Sequence, residues 1–197
     1  MKTIAFDLEW NGQGEIDVLG LAWADGLKAA ATARNPETLT QFVSVLHNAD
    51  RIAGQNIIDA DFMMMEKNGI DTSSFIPKCF DIRLAMHAAH AHLAGTGSYD
   101  LRSITLLLGG RQGQRFPLDW KRYESDLHTT CALDAASVAW NVPTLDRLIT
   151  HLKLQPVVEI SHRCSPIFAL MKVQGVQLDT AVLRQLYDER KIKLATS

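Results

Sequence analysis

Near the start of the chain, Ile4-Ala5-Phe6-Asp7-Leu8-Glu9-Trp10 sets two carboxylates two residues apart in an apolar run. In a strand such residues share a face, so Asp7 and Glu9 point one way and Phe6 and Leu8 the other. Like charges held that close repel unless a cation lies between them. Hard carboxylate oxygens suit magnesium or manganese. The plainer alternative is a solvated strand end that carries two acids, and acids further along the chain decide between the two. Two stretches supply candidates. In Gly54-Gln55-Asn56-Ile57-Ile58-Asp59-Ala60-Asp61-Phe62 a strand gives way to a helix. Asp59 and Asp61 cannot share a helical face, so at most one joins the first pair. An acid there also complements the positive end of a helix dipole, and Asn56 either caps that helix or touches a substrate. In Thr129-Thr130-Cys131-Ala132-Leu133-Asp134-Ala135-Ala136-Ser137, Asp134 sits among small and apolar residues. An unpaired charge is costly in such surroundings, so a partner or a metal is expected.

The elements that must position these acids read as follows. Residues 3–10 form a buried strand, Ile16–Trp23 a second, and Asp25-Gly26 signals a hairpin into a third over Leu27–Ala33. Asn35 and Pro36 mark a helix start, with Leu39, Phe42, Val43 and Leu46 at helical spacing. Arg51–Gln55 reads as a short strand, followed by a helix to about Lys67 that Asn68-Gly69 stops. Phe80–Leu93 and Tyr99–Leu108 read as helices on either side of Gly95-Thr96-Gly97, and Gly109–Trp120 as a polar, basic loop. The long helical stretch after it is expected to kink or break near Asn141, because Pro143 removes a donor. Strands first and helices afterwards make a mixed α/β layered domain.

A chain of 197 residues suffices for one well-buried domain with an appendage, and 47% hydrophobic with 21% charged residues is ordinary for a soluble globular protein. A net charge of −2 gives no general affinity for nucleic acid or acidic membranes, so a polyanion must be met by local basic patches or by metal ions. The three cysteines, Cys79, Cys131 and Cys164, lack metal-ligand spacing and suit reduced thiols. Nothing resembles a signal peptide or a membrane span, so a cytoplasmic protein is expected. Arg111, Arg115, Lys121 and Arg122 surround a glycine-bearing loop and suit either phosphate binding or plain solvation. Leu8 and Trp10 flank the first acids as candidate substrate contacts, Trp10 by stacking on a base or by packing at a rim. His87, His90 and His92 do not share one helical face and read as surface residues, and Met63-Met64-Met65 as helix packing.

In order, Phe6-Asp7-Leu8-Glu9, Gly54-Gln55-Asn56…Asp61 and Cys131-Ala132-Leu133-Asp134-Ala135-Ala136 resemble the three motifs of the DEDD-type 3′–5′ exonucleases. The segments Phe80-Asp81-Ile82-Arg83-Leu84-Ala85, Tyr99-Asp100-Leu101-Arg102-Ser103-Ile104 and Leu107-Leu108-Gly109 are similar to landmarks in the proofreading domains of family A DNA polymerases. Pro166–Met171, with Gly175-Val176-Gln177-Leu178-Asp179 and Leu183, resembles the opening of the polymerase domain in that family. The resemblance implies an RNase H-like mixed sheet, an antiparallel three-strand meander plus parallel strands, flanked by helices. It divides the chain into an exonuclease domain over 1–152 and a helical extension over 153–197. It further implies that Asp7, Glu9, Asp61 and Asp134 hold two magnesium or manganese ions around a phosphodiester at a single-stranded DNA 3′ end. One ion would lower the pKa of a water and the other would stabilise the leaving 3′-oxygen. A polymerase subunit or domain would be the partner. An exoribonuclease, or a catalytically weakened module that binds DNA or acts as a scaffold, are the alternatives.

The chain departs from this pattern in two ways. The spacing from Asn56 selects Asp61, with Asp59 as the fallback. Where the family carries a Tyr or His that orients or deprotonates the attacking water, this chain has Thr130 or Thr129, and His128 lies one residue further back. Thr130 can hydrogen-bond a water but is a poor base, whereas His128 has a suitable pKa.

Overall fold

The computed structural model describes residues 1–23, 28–90, 99–112 and 126–174, with isolated positions beyond. Strand β1 (Thr3–Trp10) pairs antiparallel with β2 (Ile16–Trp23), which pairs antiparallel with β3 (Lys28–Ala33). Helix α1 (Pro36–His47) follows, started by Asn35 and Thr38 in a reciprocal capping box with proline in the first turn. Strand β4 (Arg51–Gly54) returns parallel to β1, and β5 (Cys79–Asp81) parallel to β4, so the five-stranded mixed sheet has the order β3-β2-β1-β4-β5. Helix α2 (Asp61–Lys67) connects β4 to β5 and ends at Asn68 and Gly69. Helices α3 (Ile82–Ala89), α4 (Leu101–Gln112), α5 (Leu127–His151) and α6 (Gln155–Gln174) follow.

The two faces of the sheet differ in bulk, and that difference positions the site. Ile4, Phe6, Leu8 and Leu19 pack on one face against Phe42 and Leu46 of α1 and Phe62 and Met65 of α2. The other face presents Ala22, Ala5 and Ala53 in adjacent registers, against α5 residues such as Ala135, Val138, Ala139 and Val142. Small side chains there let α5 lie close across the strands. Helix α6 runs past the outer strand β5: Val158 joins the alanine-face core, Ala169 joins the opposite one, and His162 Nε2 accepts the Asp81 N–H at 2.7 Å. Ile160, Ile167, Phe168 and Met171 lie on its exposed surface.

Four expectations need correction. Phe80 and Asp81 belong to a strand, not a helix, because Phe80 pairs with Ala53 while the Asp81 carboxylate caps α3 and delays its start to Ile82. Helix α5 runs unbroken through Pro143. Val138, Ala139 and Val142 before it and Leu145 and Ile149 after it are buried in one core, which offsets the roughly 3 kcal/mol that a mid-helix proline costs. Gly109–Gln112 continues α4 and is not loop. His90 is buried, with 6% of its surface exposed, where α3 ends, and its carbonyl accepts the Tyr99 hydroxyl. The Asp25-Gly26 hairpin, Gly95–Gly97, His92, Arg115, Lys121 and Arg122 lie outside the described residues, as does the side chain of Arg111. Among the described residues no helix is long and apolar enough to cross a membrane.

Candidate metal centre

Alternation along β1 turns Asp7 and Glu9 onto the alanine face, where α5 brings Asp134 down to meet them. One carboxylate oxygen from each of Asp7, Glu9 and Asp134 lies within 4.8 Å of the others. The approach depends on Gly20, which is paired with Asp7 across the β1–β2 ladder. A methyl group at position 20 would lie 2.7 Å from Cys131 Sγ and 2.8 Å from the Cys131 carbonyl oxygen. The same Sγ lies 3.4 Å from the Asp7 carbonyl oxygen, so Cys131 pins the helix to the strand one turn before Asp134.

Asp61 reaches the cluster from the other side. Pairing between β1 and β4 ends at Ala5, which leaves the following residues of β1 open on that edge. Asp61, at the first position of α2 and only 4% exposed, lies on that side, where the Leu8 backbone N–H lowers its carboxyl's pKa. It is not one of the three clustered ligands, yet its charge is the strongest that Asp7 feels. Of the two aspartates in this stretch, Asp61 bears on Asp7.

The electrostatics follow from burial and repulsion. Burial, then the charges of Asp61, Asp134 and Glu9, hold the Asp7 carboxyl well above the usual carboxylate range. Burial and Asp134 raise Glu9 as well. Burial drives Asp61 up to about 8; its own and the Leu8 N–H groups oppose the rise, and Asp81 and Glu9 add to it. Burial and the neighbouring acids also push the Cys131 thiol up, so it serves as packing and not as a nucleophile. The ionised forms of Asp7, Glu9 and Asp61 are disfavoured, and the oxygens of Asp7, Glu9 and Asp134 converge, an arrangement that fits a hard divalent cation.

The other candidates fall into place around this cluster. Thr130 precedes Asp134 by one turn on the same helical face, whereas His128 is exposed and lies about 120° around the helix from Asp134. Thr129 is engaged at the helix start, donating its hydroxyl to Asp126. Trp10 is 38% exposed, beside a register shift in the β1–β2 ladder between Glu9 and Trp10. Leu8, by contrast, is 3% exposed and packed in the core on the opposite face, so the substrate contact expected of its side chain is not available. Its backbone alone faces the site.

Asn56 does not cap α2, which begins five residues later. It adopts a left-handed backbone with φ of 60°, its N–H donating to Asp81 Oδ1 at 3.0 Å and its carbonyl accepting the Ala60 N–H at 3.0 Å. Asp81 therefore holds the approach to Asp61 as well as the start of α3, where it accepts from the Arg83 and Leu84 backbone. An aspartate ahead of an apolar helical run carries the N-cap signature that identifies such a residue from sequence. A glycine inside a strand, as at position 20, likewise signals a close backbone approach. No family model matches the chain, and no curated protein matches it.

Proposed function

We propose that the chain is a metal-dependent 3′–5′ exonuclease that removes nucleotides from single-stranded DNA ends. The observation that carries this reading is the convergence of Asp7, Glu9 and Asp134, from a strand and a helix far apart in sequence, with Asp61 bearing on the same centre from a second helix. The strand order, with a three-strand meander continued by two parallel strands, supports the finer reading as an RNase H-like fold. Asp7, Glu9, Asp61 and Asp134 would hold two divalent ions. Such ions supply an activated water and charge stabilisation for the departing 3′-oxygen. The protein's own groups bind, orient and shield. The four carboxylates neutralise the cations, Thr130 stands where its hydroxyl can orient a water, and the exposed ring of Trp10 can stack on a terminal base.

The α5 surface around Asp134 favours a second reading, a module that holds nucleic acid and cuts it slowly. A hydroxyl occupies the position one turn before the acid, and His128 is an exposed residue on a different face of the helix.

Digestion of 5′-labelled DNA and RNA oligonucleotides with manganese or magnesium separates these readings. A ladder of single-nucleotide steps on DNA, abolished by EDTA and in Asp7→Ala and Asp134→Ala proteins that keep their far-UV spectrum, is the expected result. A ladder on RNA alone makes the chain an exoribonuclease, and no ladder with tight DNA binding makes it the slow module. Full activity in either aspartate variant would defeat the assignment. Within an active enzyme, Thr130→Ala is expected to slow turnover about tenfold, the worth of one hydrogen bond, and more than His128→Ala does.

A further inference from the structure

Arg83 is placed against its own helix. It occupies the second position of α3, where the positive end of the helix dipole disfavours a cation, and no acid lies in that first turn. Its side chain is exposed and reaches away from α3 to the loop leading into Asp61. There Nη1 donates to Asn56 Oδ1 at 2.9 Å, the one hydrogen bond of its guanidinium among the described residues. Arginine has five N–H donors and no acceptor, so four donors remain for something else. The same bond fixes the Asn56 amide: the oxygen faces Arg83, and the NH2 group is turned away as a donor.

Everything else about Asn56 is already held. Its N–H and carbonyl are tied to Asp81 and Ala60, and its left-handed backbone is one that few side chains adopt. An over-determined residue of this kind, whose free group is an oriented donor, suits a site better than a loop. The pair therefore offers outward only donors and one positive charge. It does so beside Asp81, whose carboxylate bears on Asp61. A phosphate oxygen matches that surface, whereas a cation or an apolar group does not.

We propose that Arg83, with Asn56 oriented by it, grips a phosphodiester of the substrate strand beside the one to be cut. This rests on the nuclease reading above and gives a slightly acidic protein a cationic contact on the loop that leads into Asp61. The reaction would then need one phosphate bound by side chains in addition to the one bound through metal.

The test uses the full chain and a 5′-labelled single-stranded DNA oligonucleotide with manganese. Arg83→Ala is expected to raise KM about tenfold, with a much smaller fall in kcat, and to lower the salt dependence of binding by about one ion. Arg83→Lys, which keeps the charge, should recover part of the loss. Arg83→Gln keeps a polar amide donor on the side chain but carries no charge, so it should remain as weak as Arg83→Ala. Recovery by glutamine would overturn the proposal and leave Arg83 as a prop for Asn56, as would an unchanged KM in Arg83→Ala. Fluorescence anisotropy of the same oligonucleotide in EDTA measures binding without cleavage. Weaker binding and a shallower salt slope in Arg83→Ala are expected there even if the wild type cuts nothing, and equal binding by the two proteins would refute the phosphate role. Failure of the nuclease reading would instead appear as absence of a ladder in the wild type.

Discussion

At the scale of single residues, the four acids make the metal-free protein work against itself. Asp7, Glu9 and Asp61 all bind a proton more tightly folded than unfolded, with Asp61 moved from 3.8 to about 8. Stability from such groups is complete below their unfolded pKa values and is lost as pH rises through the folded ones. In EDTA the melting temperature should therefore fall between about pH 4 and pH 8, the window set by these shifts. Asp7→Asn or Asp61→Asn should flatten that fall. Manganese should raise the melting temperature far more at the alkaline end of the window than at the acid end, because only ionised carboxylates bind it. Differential scanning fluorimetry across the window reads all three. A metal-free protein that grows more stable as pH rises through it would mean that the acids are not packed against one another.

At the scale of elements, the site depends on how closely α5 can lie on β1 and β2. Gly20→Ala should force the helix outward at Cys131 and destabilise the fold by about 1–3 kcal/mol, as overpacking does. It should also weaken manganese binding about tenfold, because Asp134 rides on the displaced helix. Gly12→Ala is the control, since nothing lies within 4 Å of a methyl placed there. Thermal melts and titration calorimetry on both variants check the pair of effects. Apolar runs placed β1 and β2, and the asparagine–proline start placed α1, because each of those signals is local. Strand β5 escaped because three residues are too few to display a period of two. The continuity of α5 through Pro143 escaped because the compensating contacts come from other elements. The acids of the site stood out as residue types, but the glycine that lets them meet did not. Its partner Cys131 is 111 positions away, and nothing in either local pattern points to the other.

For the molecule as a whole, the short strand β5 and the last helix must be considered together. A resemblance-based division would cut the chain at residue 152, ahead of α6. Yet α6 ties itself to the outermost strand through His162, whose ring also stacks on Phe80 with centroids 5.5 Å apart and whose Nδ1 meets the Val158 carbonyl. Without that helix the free side of β5 would be an open template for backbone pairing with another molecule. A chain ending at residue 152 should accordingly associate edge to edge at concentrations where the 197-residue protein does not, which sedimentation velocity would detect. Equal monomer fractions in the two would show that the strand needs no cover. Association of the shortened chain would mean that the segment that reads as the opening of something further acts within this fold as a guard against self-templating.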